Sequence, residues 1–222
     1  MLLHEYKDII ASIASVLTMV QFVSPAILCK DIIYRRSTSG HDIMVFMGGL
    51  ILSILFLQTA LLMEDSYMIF VNTIATTLSF IYLTTYIFYS SEKYDCYKTI
   101  VKAGIFISIL IIYARNESKD VVNFRFGLIC TILFLFFIAA PLFSIKKILR
   151  TKNTSSLPMP IIISGTIVSF SWMLYGFAIE DTILQMQNGI AIVLNSIQLG
   201  LYSYCKFTKL PKKSAIKSKK FN

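Results

Sequence analysis

The chain has 222 residues, of which 56% are hydrophobic and only 15% charged, and its mean hydropathy is +0.70. A soluble domain has nearer a quarter charged residues, so this composition excludes an ordinary soluble protein and indicates a chain embedded in lipid. The net charge of +9 favours membrane topology over a nucleic-acid surface, because the basic residues lie at the ends of apolar segments and in a lysine-rich tail. The apolar segments lack the period-2 alternation of a membrane barrel, so they predict an all-α membrane protein.

Seven apolar segments follow one another along the chain, and the connections between them are too short to hold a soluble domain. At about 1.5 Å per residue, all but the short fourth segment are long enough to cross roughly 30 Å of hydrocarbon. The sequence therefore predicts seven transmembrane helices, at residues 9–29, 43–63, 67–89, 99–114, 122–145, 158–179 and 184–205.

The distribution of basic residues predicts the orientation. Seven crossings place the termini on opposite sides, and with the C-terminus inside, the inner loops and tail hold 17 of the 21 Lys and Arg residues. Because cytoplasmic loops are enriched in basic residues, the N-terminus is predicted to be outside or lumenal and the C-terminus cytosolic. The plasma membrane is the expected location, with the Golgi or another endomembrane as the alternative. Of two glycosylation sequons, that of Asn116 is expected to face outward and that of Asn153 the cytosol.

An internal repeat of 116 residues relates two parts of the chain. Between Leu17 and Tyr86, 18 of 70 positions are identical to the residue 116 positions later, where apolar composition alone predicts under about a tenth. The matching pairs include Pro25 with Pro141, Ser53 with Ser169, Glu64-Asp65 with Glu180-Asp181, and Asn72 with Asn188.

The repeat predicts the architecture of the chain. Each copy holds three segments, and the fourth segment is left over as a linker. This odd spacer makes the two three-helix units parallel, an arrangement of transporters that bind substrate at the repeat interface. We therefore predict seven transmembrane helices in a 3+1+3 arrangement. Its parts are a first repeat at 1–90, a linker-helix region at 91–121, a second repeat at 122–206 and a basic cytosolic tail at 207–222.

Short motifs accompany the repeat in both copies. The second copy has Ser171-Trp172-Met173-Leu174-Tyr175-Gly176, then Asp181 and Asn188-Gly189; the first has Ser24-Pro25 and Val71-Asn72-Thr73. With these motifs the chain resembles, over nearly its whole length, the SWEET or saliva family of sugar transporters. The resemblance implies a parallel-repeat fold and sugar transport. Two departures distinguish this chain: Met44-Val45-Phe46 replaces the family's proline early in the second helix, and Phe56-Leu57-Gln58-Thr59-Ala60 replaces its aromatic-Tyr-Gly element.

Asn72 and Asn188 are the first candidates for a substrate site. A buried amide is costly in lipid unless it is hydrogen-bonded, and it offers both the donors and the acceptors that sugar hydroxyls need. The alternative is that these amides only join helices to each other. Their symmetric placement and the family resemblance favour substrate binding.

Five further residues are predicted to line the site. Trp172 lies deeper than an interfacial belt requires, so its ring is available to stack on a sugar. Its repeat mate Phe56 is the candidate for the opposite wall of the site. The alternative for Phe56 is ordinary contact with the core or with lipid. Ser53 is placed in the pocket by the resemblance, whereas helix packing is the stronger prediction for its mate Ser169. The resemblance also places Gln21 in the pocket lining, and its repeat mate is the bulky Phe137. A polar residue on one side and a large ring on the other would narrow the site, which favours a monosaccharide over a disaccharide.

The prolines Pro25, Pro141 and Pro160 are predicted to kink their helices and to act as hinges, because each removes a backbone hydrogen bond. The family resemblance adds Asp181 to the candidate hinge or gate residues.

No Asp, Glu, Lys, Arg or His is predicted deep in a segment, and no catalytic motif is found. The four cysteines show no metal-ligand spacing. The sequence therefore predicts no enzyme activity, no catalytic or metal site and no cofactor, but a uniporter whose partners are a sugar and membrane lipid, with a homo-oligomer left open. The alternatives are a repeat-built carrier of amino acids or other small solutes, and a non-transporting seven-helix receptor or interaction protein.

Overall fold

A computed structural model describes residues 2–154, 157 and 159–209 of the chain, and these residues form helices joined by short connections. The basic tail beyond residue 209 and Ser155 of the second sequon lie outside the described residues. The helices are α1 (Leu2–Glu5), α2 (Lys7–Phe22), α3 (Ser24–Arg35), α4 (Ile43–Leu62), α5 (Ser66–Tyr89), α6 (Lys93–Asn116), α7 (Lys119–Ala139), α8 (Ile145–Thr151), α9 (Met159–Ala178) and α10 (Thr182–Lys209), with a 3-10 turn (Ala140–Ser144) between α7 and α8.

The helices form two bundles of three crossings each. The first bundle contains the α2–α3 crossing, α4 and α5; the second contains the α7–α8 crossing, α9 and α10. The bundles meet where α2 packs against α9 and where α4 packs against α7, and α6 lies against the outside of α4. Within the part of the chain that the structure describes, six crossings are long and apolar enough to span a membrane. Helix α10 is long but carries several Asn and Gln residues that lower its hydropathy. This is the predicted 3+1+3 arrangement.

The two ends of the bundle differ in charge, and we name them accordingly. The acidic face is the end at which the connections carry Glu64-Asp65, Glu117 and Glu180-Asp181; the basic face is the opposite end. Aspartates cap two helices at the acidic face: Asp65 accepts a hydrogen bond from the Met68 amide at 2.9 Å, and Asp181 accepts one from the Leu184 amide at 2.6 Å. Both caps satisfy an amide that an α-helix leaves without an intrahelical partner.

Two of the predicted kinks are present, and they are built alike. The first crossing is interrupted at Val23, two residues before Pro25, and the fifth passes through the 3-10 turn that contains Pro141. At each break, a carbonyl is satisfied by a side chain from the third helix of its own bundle. Tyr82 Oη donates to Phe22 O at 3.0 Å, and Gln198 Nε2 donates to Ile138 O at 2.8 Å. The two donors are repeat mates, and so are the two acceptors. Both copies therefore satisfy the carbonyl at the break with a side chain from the equivalent position.

Pro160 does not produce the predicted kink. It is the second residue of α9, which begins at Met159. The amides of a first helical turn have no intrahelical partner, so a proline there removes no hydrogen bond and is compatible with a straight helix. The sequence prediction was wrong on this point because it treated the proline as an internal residue, although the predicted start at residue 158 already placed it in the first turn.

The fourth crossing begins well before its predicted start. α6 begins at Lys93, six residues before the predicted start, because its first turns are polar and lie outside the apolar pattern. Asp95 in the first turn stabilises this end through the helix dipole. Lys102 consequently lies further inside the helix than predicted. Its side chain is exposed on the outside of the bundle, where its long aliphatic stem can extend toward the basic face.

Candidate substrate site

Four of the predicted site residues lie at one depth in the bundle. Asn72 and Asn188 each follow their capping aspartate by seven residues, and Trp172 and Phe56 each precede the last residue of their helix by six. At about 1.5 Å per residue, all four side chains leave their helices roughly 9–10 Å from the acidic face. They come from α5, α10, α9 and α4, so that both bundles contribute two residues.

The two asparagines make the same hydrogen bond. Asn72 Nδ2 donates to Met68 O and Asn188 Nδ2 donates to Leu184 O, each at 2.9 Å and each one turn back in its own helix. Among the described residues, neither side chain bonds to another helix, which is not the arrangement expected of amides that join helices. Each carboxamide oxygen has no hydrogen bond from the described residues, so both remain available as acceptors.

Trp172 connects the two bundles. Its indole Nε1 donates to Thr18 Oγ1 of α2 at 2.8 Å, and Thr18 donates in turn to Ala14 O. The ring is 9% exposed and packs edge-to-face on Tyr175, with centroids 5.7 Å apart. It belongs to a packed cluster that also contains Val71 of α5 and Leu184 of α10. The indole hydrogen bond therefore fixes the orientation of this ring beside the helices that carry both asparagines.

Phe56 makes the repeat-related contact with different chemistry. Its ring lies edge-to-face on Phe134 of α7, with centroids 5.5 Å apart, and Phe134 is the repeat mate of Thr18. The two inter-bundle contacts therefore occupy equivalent places in the fold. One is an indole–hydroxyl hydrogen bond, and the other is a pair of aromatic rings.

The predicted serines lie one turn from the rings, on the side of the basic face. Ser53 is 6% exposed and donates to Leu50 O at 3.0 Å, whereas Ser169 is 4% exposed and has no hydrogen bond from the described residues. Gln21 lies at the α2–α9 contact: a Cβ on Gly165 would lie 3.4 Å from Gln21 Nε2 and 3.5 Å from Asn195 Nδ2. Two amides from opposite bundles thus converge on this glycine.

Asn195 was not predicted as a site residue. It is 6% exposed, and it makes no hydrogen bond to the described residues. It follows Asn188 by seven residues, two turns along the same face of α10, and its repeat mate Ser79 has the same relation to Asn72. This seven-residue spacing of polar residues within an apolar segment was the available signal.

Phe137, the mate of Gln21, lies at the α4–α7 contact. Its ring occupies the space that any side chain on Gly48 would take. Only glycine at position 48 allows α4 to approach this ring so closely. Gln21 and Phe137 therefore face the two inter-bundle contacts, each against a glycine of the opposite bundle.

A hydrogen bond at the acidic face joins the bundles and was also not predicted. Tyr175 Oη of α9 donates to Asp65 Oδ2 at 2.6 Å, while the other oxygen of Asp65 caps α5. The repeat-related pair would be Asp181 and residue 59. Residue 59 is a threonine, whose side chain is too short to place its hydroxyl where the Tyr175 hydroxyl lies in the other copy. Asp181, the predicted gate residue, accordingly caps α10 and makes no bond to α4 among the described residues. The eroded Tyr-Gly element in the first copy was the sequence signal for this asymmetry.

Replacing Tyr175 with phenylalanine should open the acidic face. The change removes a hydrogen bond to a carboxylate, worth about 1.5–3 kcal/mol, and so raises the ratio of open to closed forms by roughly 10- to 150-fold. A cysteine placed at Val71, which is 2% exposed in the packed cluster, should then react faster with a membrane-impermeant thiol reagent. Tyr67→Phe is the matched control, because its hydroxyl bonds to none of the described residues. An unchanged labelling rate in Tyr175→Phe would show that this bond does not hold the face closed.

Two parallel three-helix bundles that enclose amides, hydroxyls and aromatic rings define a membrane transporter of the repeat-built class. A sequence profile of the MtN3/saliva family, described as sugar efflux transporters for intercellular exchange, matches residues 8–94 and again residues 124–210. The chain belongs to this family. The two matches begin 116 residues apart, which confirms the internal repeat, and a family of transporters confirms that the chain is not an enzyme.

Individual relatives cover most of the chain. The sugar transporter SWEET1 of Drosophila pseudoobscura pseudoobscura is 29% identical over 88% of both chains. The bidirectional sugar transporter N3 of Medicago truncatula is 27% identical over 86% of this chain and 73% of its own. A solved eukaryotic SWEET transporter superposes with a TM-score of 0.81 at 20% identity, covering 93% of this chain and 100% of that one. The superposition confirms the predicted fold.

Proposed function

We propose that this protein is a passive, bidirectional sugar uniporter that carries a monosaccharide by alternating access of the two bundles. The observation that carries the proposal is the pair of asparagines at one depth, one from each bundle, with their carboxamide oxygens unpaired among the described residues. Neutral amides suit an uncharged, hydroxyl-rich solute, and Trp172 supplies an apolar face beside them. The names of the relatives, which are sugar transporters, support the same substrate class.

The two broken crossings are the proposed hinges. At Val23 and in the 3-10 turn, the helix ladder is interrupted, and the freed carbonyls are held by Tyr82 and Gln198 from the third helix of each bundle. A hydrogen bond from a side chain can break and re-form when the two halves of a crossing change their angle. The regular backbone hydrogen bonds of a continuous helix do not permit such a change. Pro25 and Pro141 are the proposed hinge residues, and Pro160 is left with a role in starting α9.

Transport is expected to equilibrate the sugar and not to concentrate it. The interior residues described above are neutral, and proton-coupled carriers usually have an ionisable relay within the membrane. In vesicles loaded with purified protein, uptake of a labelled monosaccharide should stop at equal concentrations, and dissipating a proton gradient should leave the rate unchanged. Empty vesicles are the control. Reproducible accumulation above the external concentration would contradict the uniport mechanism, and absence of flux for a panel of sugars would contradict sugar transport.

The acidic face is proposed to lie outside or in a lumen and the basic face in the cytosol, in the plasma membrane or an endomembrane. Expression in eukaryotic cells with glycan mapping tests this orientation. Asn116 ends α6 at the acidic face with its side chain exposed, and Asn153 lies at the basic face. Asn153 should remain unmodified, and lengthening the loop after Asn116 should permit a glycan there. A glycan on Asn153 would reverse the assignment.

A further inference from the structure

A cavity of about 440 Å³ lies at the acidic face between α4, α7 and α10. It reaches the α9–α10 connection at Thr182 and extends inward to Phe56 and Gln187. Two of its wall residues, Met68 and Leu184, also belong to the packed cluster around Trp172. The cavity therefore borders the packed cluster and lies next to the candidate substrate site.

The repeat-related region of the other copy is filled. The repeat mates of the wall residues Gly127 and Cys130 are Ala11 and Ala14, and the repeat mate of Thr59 is Tyr175. These counterparts form the packed cluster, with Ala11 and Ala14 fully buried and Tyr175 4% exposed. The largest difference is the phenol ring of Tyr175, which crosses to Asp65. The shorter Thr59 side chain ends in a hydroxyl that reaches Leu55 O of its own helix at 3.0 Å and Cys130 Sγ of α7 at 3.5 Å. The cavity is the space that a tyrosine at position 59 would occupy.

The cavity lining combines buried polar groups with aromatic and sulfur-containing side chains. Gln187 is 8% exposed, and its Oε1 accepts a hydrogen bond from Thr131 at 2.9 Å, but its Nε2 has no hydrogen bond from the described residues. A donor in such a place needs a partner. The remaining wall supplies an amide from Asn123, carboxylates from the α9–α10 connection and the ring of Phe56. Polar groups beside the aromatic rings of Phe56 and Phe124 suit a small neutral polyol, and the volume lies within the range of small-molecule sites.

We propose that this cavity is a second, peripheral binding site for a monosaccharide, at which the sugar pauses between the acidic face and the site at Asn72 and Asn188. The proposal rests on the proposed function, because it assumes that the solute is a sugar. Gln187 donates to a sugar hydroxyl through Nε2, and Phe56 forms the floor. Since Phe56 lines the cavity and is also a residue of the candidate substrate site, the two sites share a wall through which the sugar is handed inward.

The test is protection of an introduced cysteine by sugar. Thr182→Cys places a thiol on the exposed part of the cavity wall, and Ser66→Cys is the matched control, because Ser66 is the repeat mate of Thr182 and lies beside the filled cluster. The four natural cysteines are buried. With D-glucose, D-galactose or D-fructose at nine times its half-protecting concentration, labelling of Thr182→Cys by an impermeant thiol reagent should slow about tenfold. Labelling of Ser66→Cys should not change.

Four substitutions, each combined with Thr182→Cys, identify the cause of the protection. Thr59→Tyr fills the cavity and should abolish protection, while Thr59→Val should retain it. Gln187→Leu removes the donor at similar volume and should raise the half-protecting concentration at least about fivefold. Protection should persist in Asn188→Ala, where the inner site is impaired.

The remaining outcomes contradict the proposal in distinguishable ways. Equal protection of both cysteines, or loss of protection in Asn188→Ala, would assign the effect to a conformational change and overturn the second site. An unprotected Thr182→Cys in a protein that still carries sugar across vesicles would overturn the second site alone. Absence of both protection and flux would overturn the proposed function as well.

Discussion

Substitution of either Asn72 or Asn188 by alanine should abolish measurable sugar flux. Each carboxamide removed leaves a sugar hydroxyl unpaired in a site shielded from water, at a cost of about 1–3 kcal/mol. This corresponds to roughly a 5- to 150-fold loss of affinity. Binding of the labelled monosaccharide to purified protein and uptake into vesicles measure the two effects. Because the two amides occupy repeat-related positions and make the same intrahelical bond, the two variants should lose affinity to a similar extent.

The melting temperature of the same variants tests the competing structural role. Both side chains bond only to a carbonyl of their own helix among the described residues, so their removal breaks no bond between helices. Stability should therefore change little. Ser196→Ala is a suitable control, since that hydroxyl makes the same kind of intrahelical bond on an exposed face of α10. A destabilised Asn188→Ala protein with normal sugar affinity would contradict the binding role of that residue.

Replacement of Trp172 by alanine should abolish sugar flux and also destabilise the protein, because two functions of the ring are lost together. The indole is packed between the bundles and bonds to Thr18, so its removal leaves a cavity that costs about 3–5 kcal/mol. It also removes the apolar ring that packs against the helices carrying Asn72 and Asn188. We expect no flux and a lowered melting temperature. Flux at the wild-type rate in Trp172→Ala would contradict a role for the ring in transport.

Two milder variants separate the ring from its hydrogen bond. Trp172→Phe keeps an aromatic face, as in the repeat mate Phe56, but loses the bond to Thr18. Thr18→Val removes the acceptor and keeps the indole. If the ring face binds sugar, Trp172→Phe should retain measurable flux, and Thr18→Val should lose stability by about 1–3 kcal/mol with affinity nearly unchanged. If both variants are as inactive as Trp172→Ala, the indole bond and not the ring face is the essential feature.

The helices and their pairing could be predicted because lipid imposes a simple rule on sequence. Apolar residues must cover the hydrocarbon, so seven segments are recognisable, and polar residues that interrupt them, such as Asn72 and Asn188, are noticeable. The bounds were least accurate where this rule does not apply. The first turns of α6 are polar and were missed, and Pro160 at the start of α9 was taken for an internal proline. Helix α6 extends beyond the apolar segment, and Pro160 lies at the edge of the apolar segment that forms α9.

The inter-bundle bonds could not be predicted, because each joins residues far apart in sequence. Trp172 and Thr18 are 154 positions apart, and Tyr175 and Asp65 are 110. Neither pair can be recognised from spacing, since a hydroxyl or carboxylate in a membrane segment has several available partners. Only the relative depth and rotation of the packed helices select one.

By itself, the sequence determined the membrane class, the seven crossings, the parallel repeat and the symmetric pair of asparagines, because these follow from local hydropathy and from identities at a constant offset. Only the tertiary structure decided at which positions the two repeat copies differ in packing. Equivalent positions of the two copies became a packed cluster around Tyr175 on one side and a cavity beside Thr59 on the other. The physical reason is that close packing is a property of several helices at once, so one missing ring leaves a space that no single segment can reveal.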